Sequence, residues 1–246
     1  PAIIYIMTSK TRAQDGVVLD YEEYDTEGKL LKKIDGAPGT PGGYTYAYTY
    51  DENGNMVESV FHALEGDHVY TYAYDEDGHN TRWVEKNLQT GECWVQEFYE
   101  DGTWKLEIIE NPETGLRTES EWWENGTWKR SVEKNLWTGA YTEQEFSENG
   151  FGSKTVCFDP ATGIRSEEEF YDNGKYKRRA EETPERTWEQ RYTEEGACTY
   201  YYEKTADREI ELVGDESGKL VKCTENGEVK DDPVYLAEIA PTFGFR

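Results

Sequence analysis

The sequence predicts an all-β fold: a long, twisted antiparallel β-meander built from hairpin repeats of about 24 residues, in an open or coiled sheet. Three observations carry this. Glycines preceded by an acidic residue or Asn, or by Ser at the last of them, recur at Gly28, Gly54, Gly78, Gly102, Gly126, Gly150, Gly174, Gly196 and Gly218, spaced by 26, 24, 24, 24, 24, 24, 22 and 22 residues. A second glycine series, Gly66, Gly91, Gly115, Gly139 and Gly163, runs between them. The stretches separating these turns alternate and are rich in Thr, Val, Tyr, Phe and Trp, side chains that suit a pleated, half-buried surface. Counting turns gives roughly 16–18 strands and almost no helix.

Three parts follow along the chain. Residues 1–43 hold an apolar run, Ile3-Ile4-Tyr5-Ile6-Met7, that reads as a strand buried on both faces. A first hairpin comes next, and then GAPGTPGG at 36–43, a loop separating that hairpin from the main array. Residues 44–230 are the repeat array, with turn fragments DENG, DEDG, WENG and YDNG in one series and NLQTG, NPETG, NLWTG and DPATG in the other. Residues 231–246, DDPVYLAEIAPTFGFR, depart from the repeat and read as a C-terminal strap, either capping the last repeat or docking elsewhere. The Pro at position 1 is consistent with a processed start, and the compartment stays open.

Register can be argued from the turns. A three-residue loop, a type I turn closed by a glycine bulge, sets Phe98 against Trp104, Trp122 against Trp128 and Phe170 against Tyr176 on one face. Farther along, the same register sets Trp94 against Ile108 and Glu97 against Lys105. It also puts Arg130, Lys154 and Arg178 on the aromatic face, which disfavours a closed outer-membrane barrel. The position four residues before each of the first eight glycines reads Tyr24, Tyr50, Tyr74, Phe98, Trp122, Phe146, Phe170 and Tyr192, an aromatic column through eight units. Two readings of the column stand side by side: a packing spine, or a binding platform made of Trp94, Phe98, Trp104, Trp122, Trp128, Phe170 and Tyr176. In the facing position two residues after the glycine, where other units have Trp104, Trp128 and Tyr176, Gly152 leaves a notch.

At YDENGNM and VYTYAYDEDGHN the chain resembles the YD repeats of Rhs-type proteins. At EFYEDGTWKLE, EWWENGTWKRS and EFYDNGKYKRR it is similar to the variant membrane-occupation-and-recognition-nexus (MORN) repeat of bacterial YYENGK-type proteins. Residues 44–227 carry the resemblance. Either family implies a scaffold or binding surface and no catalysis.

Charge narrows the partners. With 26 Lys plus Arg against 52 Asp plus Glu, the net charge is −26, which repels nucleic acid and anionic membranes. No apolar run reaches the ~20 residues of a membrane helix. The 14% aromatic content argues for an ordered chain despite a hydrophobic fraction of 35%. Cys93, Cys157, Cys198 and Cys223 form no CxxC pair and read as free thiols in strands. Asp75-Glu76-Asp77-Gly78 lacks the late Glu of a calcium loop, which would fall at Val84. The three histidines, His62, His68 and His79, suggest no metal or general-base set, and neither a phosphate-cradling motif nor a nucleophile elbow is present. No cofactor is expected. The sequence thus points to a non-catalytic scaffold or linker subunit of a larger assembly with a basic or mixed-charge protein partner. A carbohydrate-binding or adhesive module is the alternative, and an antitoxin-like inhibitor a more distant one.

Overall fold

The computed structural model describes residues 9–37, 39–64 and 66–246, which form twenty strands and little helix. They divide into two compact units, Pro1–Leu116 and Arg117–Arg246. The apolar run at 3–7 lies outside the described residues.

The first unit contains β1 (Ser9–Gln14), β2 (Val17–Tyr24), β3 (Leu30–Asp35), β4 (Tyr44–Tyr50), β5 (Met56–Ala63), β6 (Gly66–Tyr74), β7 (Asn80–Asn87), β8 (Cys93–Phe98) and β9 (Trp104–Asn111). Each pairs antiparallel with the next. The Gly/Pro-rich loop at 36–43 joins β3 to β4, which pair directly, so it is a long hairpin connection inside the meander. The second unit holds β10 (Leu116–Trp122, whose first residue belongs to the first unit), β11 (Trp128–Asn135), β12 (Tyr141–Phe146), β13 (Gly152–Asp159), β14 (Ile164–Phe170), β15 (Tyr176–Glu182), β16 (Arg186–Tyr192), β17 (Cys198–Thr205), β18 (Glu209–Gly214), β19 (Leu220–Glu225) and β20 (Glu228–Lys230). Helix α1 (Pro233–Ile239) and a short 3-10 helix, Ala240–Phe243, follow.

The predicted turn is present throughout. In the hairpin around Gly102, Tyr99 N–H donates to the Thr103 carbonyl at 2.8 Å and Gly102 N–H to the Tyr99 carbonyl at 2.9 Å, with the glycine at φ 83°. A left-handed backbone of this kind is open to glycine without the steric cost of a Cβ. Phe98 opposes Trp104 and Phe170 opposes Tyr176, as the turn requires.

Beyond that first pair the register departs from expectation. In each of eight hairpins the returning strand carries one extra residue three positions after the glycine: Leu31, Val57, Thr81, Lys105, Ser153, Lys177, Thr199 or Val221. A bulge leaves the extra residue unpaired and changes which side chains face each other past it. Trp94 therefore opposes Ile109, where Ile108 was expected, and Glu97 opposes Leu106 in place of Lys105. Arg130, Lys154 and Arg178 fall opposite Glu145, Glu145 and Glu169, on the face away from the aromatic column. The expectation that placed these cations on the aromatic face is overturned, and the argument against a barrel that used them falls with it. At Gly152 the predicted notch is open: a Cβ there would meet no atom within 4 Å.

The other turn series stacks along the opposite rim. Asn87, Asn111 and Asn135 each accept two backbone N–H bonds through the side-chain oxygen. The ring of Pro112 sits 3.4 Å from where a side chain on Gly91 would begin, and Pro160 covers Gly139 at 3.6 Å in the same way.

Among the described residues, a dry core lies at the C-terminal end. Cys198, Tyr201, Ile210, Leu212, Leu220 and Cys223 point to the column face and are buried beneath Leu236, Ala240 and Phe245. The strap is thus a helical cap over β17–β19. Asp232 caps α1, its carboxylate accepting from the N–H groups of Val234 and Tyr235, and Pro233 stands in the first turn, where a missing N–H costs nothing. Leu212 is fully buried in this core. Leu212→Ala should lower stability by about 2–5 kcal/mol through lost contacts and a residual cavity, read as a fall in the denaturant midpoint.

Candidate functional site

In each unit, the face that carries the residue four before the turn glycine is the aromatic face. In the first unit it holds much more than the column. Alternate residues of β4 and β6, in YTYAYTY and HVYTYAY, all point to it. Ring contacts run from strand to strand: Tyr46 to Phe61 at 4.8 Å, Phe61 to His68 at 6.1 Å, His68 to Tyr70 at 6.2 Å, Tyr70 to Trp83 at 6.3 Å and Trp83 to Trp94 at 5.4 Å. This strip crosses five strands, β4 to β8. Its rings are half-buried except Trp94, which is 38% exposed. Their planes meet at 39° for Tyr46–Phe61 and 76° for Trp83–Trp94, so the strip interlocks and has corners.

Two carboxylates sit among the rings. Glu85 Oε1 accepts from Tyr70 Oη at 3.2 Å and lies 2.8 Å from His68 Nδ1. Glu107 Oε2 accepts from Trp94 Nε1 at 3.0 Å and from Gln96 Nε2 at 3.1 Å. Burial, followed by the charge and hydrogen bond of Glu85, pushes the Tyr70 hydroxyl up to about 12. Both carboxylates are held by Tyr, Trp, Gln and His groups, and from β5 to β8 the ladder register puts no Lys or Arg on this face. Among the described residues of the first unit, the strands that touch are neighbours in the sheet and none packs across this face.

The second unit treats its carboxylates differently. On the face away from the column, acids and bases alternate from strand to strand: Glu119 with Arg130 at 2.7 Å, Arg130 with Glu143 at 2.6 Å, Lys154 with Glu167 at 2.8 Å, Glu167 with Arg178 at 3.1 Å and Arg178 with Glu189 at 3.0 Å. On its aromatic face Arg179 lies over the rings of Tyr176 at 4.6 Å and Trp188 at 5.8 Å while donating to Glu168 at 3.2 Å. Cation, aromatic face and carboxylate form one unit there.

The residues singled out in the sequence are spread over several places. Trp94 belongs to the strip. Phe98 and Trp104 oppose each other at the turn end of β8–β9, with Trp104 46% exposed. In the second unit, Trp128 contacts Trp122 at 5.8 Å and Phe146 at 6.1 Å, while Tyr176 contacts Phe170 at 5.1 Å and Tyr192 at 6.4 Å. The helical cap covers β17–β19, so it covers neither Trp122 nor Trp128. Column tyrosines also lock neighbouring hairpins: Tyr50 Oη donates to the Leu30 carbonyl and Tyr74 Oη to the Met56 carbonyl, both at 2.9 Å. The strip residues Tyr46, Phe61, His68, Tyr70 and Trp83 were missed as a group, although the Tyr-x-Tyr alternation in β4 and β6 announces them.

Other features are less distinctive. A recess of about 390 Å³ at β1–β3 is lined by Arg12, Asp20, Lys33 and Asp35, which pair among themselves. All four cysteines are free, and among the described residues no set of three or more His, Cys, Asp or Glu is placed to hold a metal. No described helix is long and apolar enough to cross a membrane.

Fold and site together define an all-β hairpin-repeat protein with an aromatic sheet face. No protein-family model matches the chain, and no curated protein is significantly similar to it. Among solved structures it is similar to the TcdB2-TccC3-Cdc42 crystal structure, with 12% identity and a TM-score of 0.28, covering 89% of this chain and 12% of that one. It is also similar to the Photorhabdus luminescens Tc holotoxin pore, with 9% identity and a TM-score of 0.23, covering 84% of this chain and 15% of that one.

The ion ladder predicts an acid response. The Lys154 hydrogen bond, offset in part by burial and helped by Arg178 and Arg165, holds the Glu167 carboxyl below its ordinary 4.5. A carboxyl depressed in the folded state contributes its full stability above the unfolded value and loses it as pH falls through the folded one. Stability should therefore decline as pH drops below 4.5. Glu167→Gln should cost about 1 kcal/mol at neutral pH and flatten that decline, measured by urea midpoints across a pH series.

Proposed function

We propose that this chain is a non-catalytic interaction protein, a subunit of a larger assembly, that receives a protein partner on the aromatic strip of its first unit. One observation carries the reading. Over β17–β19 the aromatic face is covered by the chain's own helix, with Phe243 against Tyr201 at 4.7 Å and Gln190 Nε2 donating to the Phe243 carbonyl at 3.2 Å. Over β4–β8 the aromatic face of the first unit carries more rings, and no described element of that unit covers it. A contiguous aromatic patch rimmed by polar groups is the composition of an interface, with Trp and Tyr as its usual anchors. The resemblance to YD-type and variant MORN repeats also favours a scaffold.

A carbohydrate platform has less support. Sugar rings stack on flat aromatic rows, and here Trp83 and Trp94 meet at 76°. The test is Trp94→Ala in the full chain. Because Trp94 is 38% exposed, the melting temperature should shift by no more than about 2–4 °C, the equivalent of ~1 kcal/mol in a chain of this size. Retention of the natural partner in co-purification should fall by about tenfold or more, as for an interface anchor. Unchanged retention would overturn the reading, as would saturable turnover abolished by a single substitution. Retardation in polysaccharide affinity gels that is lost in Trp94→Ala would favour the sugar alternative.

A further inference from the structure

We infer that the strip of the first unit binds a cationic helical segment of its partner, whose Arg or Lys side chains lie over Tyr70, Trp83 and Trp94 and reach Glu85 and Glu107. This rests on the strip being a docking surface and adds the chemistry of its ligand.

The argument comes from what the chain does with the same groups elsewhere. Where its second unit places rings and a carboxylate on the aromatic face, a cation joins them. Arg179 lies between Tyr176 and Trp188 and bonds Glu168, and Arg186 lies 5.9 Å from the Trp188 ring while pairing with Glu203 at 2.6 Å. From β5 to β8 the strip has rings and acids with His68 beside Glu85 and no Lys or Arg on its face, whereas at its β3–β4 edge Lys33 stands across from Tyr46 and pairs with Asp35. Trp83 and Trp94 meet nearly at right angles, forming two walls of a corner. Glu85 stands directly across from Trp94 in the β7–β8 ladder, and Glu107 holds the Trp94 indole N–H. Glu85 and Glu107 lie on strands two apart in the sheet and are offset by two residues, a backbone separation of about 12 Å at the normal strand spacing and rise. Two long cationic side chains one or two helical turns apart on a single segment span that distance. Ring faces attract cations and prefer guanidinium, and a carboxylate beside the ring adds a charge-assisted bond. The helical form of the ligand follows the cap of the second unit, where α1 supplies Leu236 and the 3-10 helix supplies Ala240 and Phe243 to the same face of its strands.

The experiment measures anisotropy of a labelled Ala/Leu-based helical peptide of about twenty residues with Arg at every fourth position, beside its Gln counterpart, on the full chain at physiological salt. The variants are Glu85→Gln with Glu107→Gln, Trp94→Ala, and a control, Glu76→Gln with Glu100→Gln, that removes the same charge at exposed turns. The Arg peptide should bind about tenfold more tightly than the Gln peptide. The paired strip variant and Trp94→Ala should each remove that advantage, while the turn control keeps it. If both peptides bind equally and Trp94→Ala weakens both, the cationic ligand is wrong and the docking surface stands. Should the turn control lose as much as the strip variant, the preference is only general attraction to an acidic chain and the inference fails. Absence of binding by either peptide overturns the inference and counts against the docking surface as well.

Discussion

Much of this protein depends on one repeated constraint: in eight hairpins a left-handed glycine closes the turn, and one extra residue bulges from the returning strand three positions later. The glycine sets where the strands turn. The bulge then sets which side chains share a face, because the side-chain period of a strand is two and a single inserted residue inverts everything beyond it. Repeated in hairpin after hairpin, this inversion moves Arg130, Lys154 and Arg178 off the aromatic face and onto the acids of the opposite one. The ion ladder of the second unit is its direct product.

Two ways of satisfying buried and half-buried groups follow. In the second unit, carboxylates alternate with cations and the rings have Arg179 above them, so charge is matched within the chain. Among the described residues, a dry core forms at β17–β19, where α1, the 3-10 helix and Phe245 cover Ile210 and Leu212. In the first unit Tyr70 and His68 hold Glu85, Trp94 and Gln96 hold Glu107, and the rings interlock with no helix of that unit over them among the described residues. The asymmetry between these arrangements, more than any single residue, points the functional reading to the first unit.

Sequence reasoning reached the turns and their first cross-strand pair because both depend on local chemistry: Gly at a positive φ, and Asp or Asn accepting backbone N–H bonds around it. It missed the bulge because Leu31, Thr81, Lys105 and Ser153 share no property that marks the position. It placed the binding residues by their fixed offset from glycine. That offset finds column members such as Phe98 and Trp122 but passes over Tyr46, Phe61 and Trp83, which gather only when strands far apart in sequence are laid side by side. The strap's helix was likewise missed, since seven residues show little periodicity, although Asp232-Pro233 is a helix-start signal.

The sequence by itself determined that this is an antiparallel hairpin meander with an aromatic column, because turn chemistry and alternation act over a few residues and need no distant partner. The tertiary structure alone decided which face each charge occupies, where the dry core forms and which rings become a strip. Those outcomes depend on register accumulated through bulges and on a C-terminal helix folding back across strands it does not adjoin in sequence.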